Sequence, residues 1–218
     1  MAMVDLTQPY RDGMFSQKLF PRVRVSRCVK HEERGVNVTC LDVCVHHGTH
    51  IDAPRHFVPD GRDIASLGLD EVSGPAVGLA VSRGPGEAIT ATDLEAQDQA
   101  VEVGDIVFIS TGWAAYFHSD PKRYEVHPYL ADEAAAWLRE RRVKLVGVDV
   151  PTPDMPEPVR TAGFNWPVHH LLLGGGTLIA EHVNRLDLVA GRRFRAFAFP
   201  LPIDGSDGSP VRMVAELA

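Results

Sequence analysis

The stretch Asp105-Ile106-Val107-Phe108-Ile109-Ser110, followed at a distance by Val143-Lys144-Leu145-Val146-Gly147-Val148-Asp149-Val150, decides the fold class. Both runs are short, apolar and rich in β-branched residues, as strands buried on two faces are. Residues 128–142 between them have helical periodicity, with Leu130, Ala134, Trp137, Leu138 and Arg141 on one stripe. Asp132 and Glu133 open that helix and Arg139, Arg141 and Arg142 close it, the ends at which the helix dipole favours each charge. Strand, helix and strand in this order form a β-α-β unit with parallel strands.

Working outward, further strands are expected at residues 36–45, 76–81, 177–180, 194–199 and 211–217. A second helix is expected at 91–100, capped by Thr90 or Thr92. With 218 residues, 44% hydrophobic and 23% charged, the chain can bury a full core. The reading is one α/β domain over residues 1–218, a mixed sheet with covering helices.

Composition excludes several functions. The net charge is −7, from 22 Lys+Arg against 29 Asp+Glu, so no basic face is available to grip nucleic acid. No apolar run approaches the roughly 20 residues of a membrane span, and a secretory leader pattern is lacking at the N-terminus. Cys28, Cys40 and Cys44 are an odd set without CxxC spacing, so free thiols and a cytoplasmic location are expected.

The histidines carry the chemistry. Four of ten (His46, His47, His50 and His56) fall within residues 46–56, where even spreading would place about half of one. His46, His50, Asp52 and His56 share parity, so an extended chain would project them from one face. Extension alone would leave His46 and His50 about 13 Å apart at roughly 3.3 Å per residue, too far to share a metal. A bend must bring them together, and Gly48 is the residue suited to make it. Imidazole with carboxylate suits Zn²⁺, Mn²⁺ or Fe²⁺. His47 points the other way and packs or supports. A second group, His169 with Glu181, lies after Asn165-Trp166-Pro167 and could complete a two-metal site with a bridging carboxylate.

The pattern His-x-Gly-Thr-His-x-Asp-x-Pro-x-His, intact from His46 to His56, resembles the cyclase superfamily of metal-dependent hydrolases, which includes bacterial kynurenine formamidase and isatin hydrolase. Asp5-Leu6-Thr7, Thr111-Gly112-Trp113, Gly147-Val148-Asp149-Val150-Pro151 and the His169-to-Glu181 spacing extend the likeness over nearly the whole chain. The resemblance implies a swivelling β/β/α-type domain in homodimers or homotetramers. It implies that His46, His50 and Asp52 bind a first divalent metal, Zn or Mn. Asp52 and Glu181 would bridge to a second, held by His169, where two are bound, and His56 would be the general acid/base. The substrate end departs from the formamidases: Gly13-Met14-Phe15-Ser16 and Leu19-Phe20-Pro21 stand where those carry a Trp-Pro-Gly-Asp-type loop.

The expected activity is hydrolysis of a small amide, lactam or lactone, with Phe15, Phe20, Phe57, Trp113 and Trp166 as candidate pocket walls. The alternatives are a metal-dependent cyclase or dehydratase of a polyketide-like substrate, or a metal- or small-molecule-binding protein without turnover. Residues 151–158 carry four prolines and are expected to form a rigid surface loop.

Overall fold

The computed structural model describes residues 2–97 and 99–217. Its strands are β1 (Ala2–Asp5), β2 (Arg24–Val29), β3 (Val38–Asp42), β4 (His50–Asp52), β5 (Ser73–Ala80), β6 (Ala88–Ile89), β7 (Ile106–Ser110), β8 (Tyr129–Leu130), β9 (Leu145–Val148), β10 (Leu178–Glu181), β11 (Arg193–Pro200) and β12 (Gly208–Leu217). Its helices are α1 (His31–Arg34), α2 (Ala91–Glu95), α3 (Tyr116–Ser119), α4 (Pro121–Tyr124), α5 (Asp132–Glu140) and α6 (Pro167–Gly174).

The main sheet has the order β1-β12-β11-β5-β7-β9-β10-β4, and β4 also pairs with β12. The strands from β12 round to β4 therefore close into a ring, with β1 added to β12 outside it. Strands β5, β7, β9 and β10 are mutually parallel neighbours, as the β-α-β reading requires. Alternate residues of these strands enter two different cores. Val77, Leu79, Val107, Ile109, Val146, Val148 and Ile179 face the helices. Ala76, Ile106, Phe108, Leu145, Leu178 and Ala180 face the inside of the ring. This two-sided burial is why the strands read as continuous apolar runs.

Helix α5 begins four residues later than its periodicity suggests and ends two earlier. Tyr129 and Leu130 instead form β8, parallel to β6, and the Leu130 N–H donates to Pro153 O. Helix α2 stops at Glu95 rather than running to residue 100; Asp98, within the expected span, lies outside the described residues. Its start follows the sequence, since Thr90 and Asp93 form a reciprocal capping box.

Two expectations are corrected. Cys28 and Cys40 are not free: they are disulfide-bonded across the β2–β3 hairpin, with Cα atoms 5.9 Å apart, leaving Cys44 free. The pairing arises because antiparallel β2 and β3 bring the two cysteines together, which sequence spacing does not reveal. Nor are residues 151–158 a surface loop throughout, because Pro151 to Asp154 are buried and Asp154 is fully so. The β2–β3 hairpin projects from the body, with no buried residue from 24 to 42 and with Val36, Val38 and Leu41 exposed. No helix among the described residues is long and apolar enough to cross a membrane.

Candidate metal centre

The bend between His46 and His50 is at Gly48, whose φ of +60° lies in the left-handed region that glycine adopts without strain. It turns the chain into β4, and Ile51 points into the ring while His50 and Asp52 point to the helix side. Strand β10 pairs with β4 in antiparallel register, setting Glu181 opposite His50. Helix α6 places His169 above them, and the one-turn segment Pro54–His56 folds His56 back onto the group.

The donor atoms converge. Asp52 Oδ1 lies 2.8 Å from His46 Nδ1 and 3.3 Å from His50 Nε2. Its other oxygen, Oδ2, lies 3.6 Å from His169 Nε2. Glu181 divides in the same way, with Oε2 3.4 Å from His50 Nε2 and Oε1 3.3 Å from His169 Nε2. Two carboxylates thus each offer one oxygen to a His46/His50 side and one to a His169 side.

Burial makes this arrangement informative. His50 and Asp52 are fully buried, and His50 Nε2, Asp52 Oδ2 and Glu181 Oε1 have no hydrogen-bond partner. Such atoms are expensive to bury unpaired, and their place among the convergent histidine and carboxylate donors fits bound cations. Asp52, His169 and Glu181 have donor atoms mutually within 4.8 Å, as do His50, Glu181 and His182.

Each histidine has its other nitrogen fixed. His50 Nδ1 donates to Gly48 O at 2.8 Å, His169 Nδ1 meets Asp154 Oδ2 at 2.5 Å, and His46 Nε2 meets Asp207 Oδ2 at 2.9 Å. Metal-binding histidines are held in this manner, with the outer nitrogen on a carboxylate or carbonyl. Asp154 also accepts the N–H groups of Val168 and His169, so it caps the first turn of α6 from a distance. The donor set fits a divalent metal.

Electrostatics agree. Burial opposes charge on His50, but Asp52 and Glu181 outweigh it and push its pKa up to about 10. Burial likewise opposes charge on His46, and Asp207 and Asp52 raise it to about 9. Burial and the Asp52 charge raise Glu181, yet the imidazoles of His169 and His50 facing it bring it down to about 2. Burial lowers His56 below the usual imidazole value, against the opposing charge of Asp52. This pocket concentrates negative charge that only protons or a cation can balance.

Aromatic rings surround the group. Phe20 stacks on His46 at 5.9 Å between centroids, Phe57 lies 4.5 Å from His169, and Phe15 lies 5.8 Å from His182. Trp166 packs against Phe57 at 6.2 Å and is partly exposed. Trp113 is elsewhere: it is buried in the core and its indole N–H donates to Tyr124 O. Tyr124 Oη in turn meets His182 Nδ1 at 2.9 Å. His47 supports the entry loop, with Nδ1 accepting the Cys44 N–H and Nε2 donating to Ser16 Oγ. Asp154, His182 and Asp207 are members of the group that sequence spacing does not single out.

Comparison with known proteins bears on this geometry. A family model, Cyclase, described as "Putative cyclase", matches residues 4–155. Kynurenine formamidase of Bacillus cereus is 38% identical over 186 residues, 85% of this chain and 82% of that relative. Isatin hydrolase A from Ralstonia solanacearum has the same fold, with a TM-score of 0.88 at 24% identity over 100% of this chain and 92% of that one. A structure described as a potential metal-dependent hydrolase with cyclase activity matches with a TM-score of 0.78 at 26% identity, over 98% of this chain and 96% of that one.

Proposed function

Because the chain belongs to the Cyclase family, we propose that it is a metal-dependent hydrolase that opens the C–N bond of a small aryl amide or lactam, in the manner of an arylformamidase. The observation that carries the reading is the pair of buried carboxylates, Asp52 and Glu181, each presenting one oxygen to either side with unpaired donors between them. His46, His50 and Asp52 would hold one divalent cation, and His169 a second, with Asp52 and Glu181 shared. The geometry favours two metals. A bound cation would lower the pKa of a water and polarise the scissile carbonyl.

The remaining work belongs to the chain. Phe20, Phe57, Phe15 and Trp166 flank the histidines and suit a flat aromatic substrate, which they would hold by stacking and desolvation. His56, at the rim with a quarter of its side chain exposed, takes a proton from water and returns it to the leaving nitrogen. Burial of the carboxylates excludes competing solvent and keeps the electrostatic interactions strong.

Three further readings belong to the same proposal. The chain works as one domain, supported by a sheet whose strands run from Ala2 to Leu217. It acts as a homodimer or homotetramer, supported by the projecting β2–β3 hairpin, since an isolated two-stranded ribbon is marginal in water. Its partner is a small molecule, supported by the aromatic rings packed around the histidines.

The test is metal content of the protein purified without added metal or chelator, with rates on N-formylkynurenine, isatin and an aryl lactone before and after chelation. One or two equivalents of metal with chelator-sensitive amide hydrolysis is the expected result. Absence of bound metal after reconstitution with zinc or manganese would sink the reading.

A further inference from the structure

One carboxylate touches two histidines that have different tasks. Asp207 lies in the turn before β12, and the register of Gly208 with Asp52 fixes it beside β4. Its backbone carbonyl accepts the Ala53 N–H at 2.9 Å, which holds the turn against the end of that strand. Its side-chain Oδ2 lies 2.9 Å from His46 Nε2 and 3.0 Å from His56 Nδ1. The two imidazoles stack with centroids 4.2 Å apart and planes 29° apart.

An ionised carboxylate oxygen only accepts hydrogen bonds, so both nitrogens facing it carry protons. A neutral imidazole has a single N–H. With a metal in place of the His46 proton, both rings are neutral, and His46 then presents a lone pair at Nδ1 and His56 a lone pair at Nε2. On the His46 side, Nδ1 lies 2.8 Å from Asp52 Oδ1, where a proton holds the pair together without metal and a bound cation would take that proton's place. On the His56 side, no other hydrogen bond to the ring is found among the described residues, so Nε2 is left for water or substrate.

We propose that Asp207 is the positioning residue of this site: through one oxygen it assigns His46 Nδ1 to the metal and His56 Nε2 to the reacting water. The catalytic part of this inference rests on the hydrolase reading above. His56 then enters the reaction as a base. An O–H bond of water breaks, its proton goes to His56 Nε2, and the oxygen forms its bond to the carbonyl carbon. The resulting imidazolium faces the Asp207 carboxylate, which stabilises its charge without taking its proton. The Nε2 proton passes to the amide nitrogen as the C–N bond breaks, and His56 returns to its starting form. The same carboxylate ties the base to a ligand, so metal position and base position move together.

The experiment is long-range ¹H–¹⁵N spectroscopy of histidine side chains in the zinc-loaded protein, with His56→Gln to assign the ring. It is paired with metal analysis and steady-state rates on the same samples. In the wild type, His56 is expected to carry its proton on Nδ1 and His46 on Nε2. In Asp207→Ala, His56 should lose that preference. Its kcat should fall about ten- to a hundredfold, the range typical when a partner of this kind is removed. Its KM should stay within about twofold, and Asp207→Glu should recover part of kcat.

A wild-type His56 protonated on Nε2 overturns the proposal without any variant, which covers the case of a variant that fails to fold. Unchanged His56 signals and kcat in Asp207→Ala also overturn it. Loss of metal with an unaltered His56 tautomer does the same, because Asp207 would then serve His46 alone. A wild type inactive on every amide tested overturns the hydrolase reading instead, while the spectra still decide what Asp207 does.

Discussion

His50 and His169 can face a cation only if their second nitrogens are held elsewhere, and Gly48 O and Asp154 do this. Asp154→Asn should therefore weaken metal binding about ten- to a hundredfold, measured by competition with a chromophoric chelator, while the fold persists by circular dichroism. His50→Ala and Asp52→Ala should lose metal and activity together by elemental analysis and rate. His56→Ala should keep its metal and lose about 10²–10⁴ in kcat, the range for a proton-transfer group. Much of this group is legible in sequence, because His46, His50, Asp52 and His56 recur within one short segment and Gly48 advertises the bend. Asp207 is not legible. It stands in Asp204-Gly205-Ser206-Asp207-Gly208, where an aspartate is an ordinary turn residue, and its role appears only when β12 lies beside β4. Asp154 is hidden among prolines for the same reason, since its partners are the N–H groups of a helix that begins thirteen residues later.

The elements differ in how openly their sequences declare them. Strands β7 and β9 read clearly because both faces are buried, so no polar residue interrupts them. Strand β4 does not, because His50-Ile51-Asp52 has one apolar residue and two site groups, and pairing alone makes it a strand. The start of α5 is lost to β8, where bonds to Ile89 and Pro153 outweigh a helical pattern that includes Leu130. Glycine inside β9 has a specific cause: a Cβ on Gly147 would stand 2.5 Å from Phe108 Cδ1. Gly147→Ala should lower stability by about 1–3 kcal/mol, read from the denaturant midpoint, with metal stoichiometry unchanged. The disulfide in the β2–β3 hairpin falls in the same class as β4, because two cysteines twelve residues apart become neighbours only through strand pairing.

At the scale of the whole molecule, the site links stability to pH and metal with opposite slopes. Folding raises His50 and His46 from 6.5 to about 10 and about 9, so their contribution is complete below 6.5 and is lost as pH rises through those values. Glu181 is depressed from 4.5 to about 2, so its contribution is present above 4.5 and is lost as pH falls towards 2. Without metal, the melting temperature should peak between about pH 4.5 and 6.5 and decline on both sides. Metal uptake must displace the histidine protons, so affinity should rise with pH up to about 9–10, with proton release detectable in weakly buffered titrations. The closed ring of strands adds a last consequence. It is completed by the three residues of β4, which pair with β10 on one side and β12 on the other, and two of those three are proposed donors. A cation shared with Glu181 would act as a clasp across that seam. Chelation should then speed amide hydrogen exchange in β4 and at the facing ends of β10 and β12, while β5, β7 and β9 stay protected. An unclasped seam presents two bare strand edges, so self-association on heating, rather than lost turnover alone, is what metal starvation would inflict on this chain.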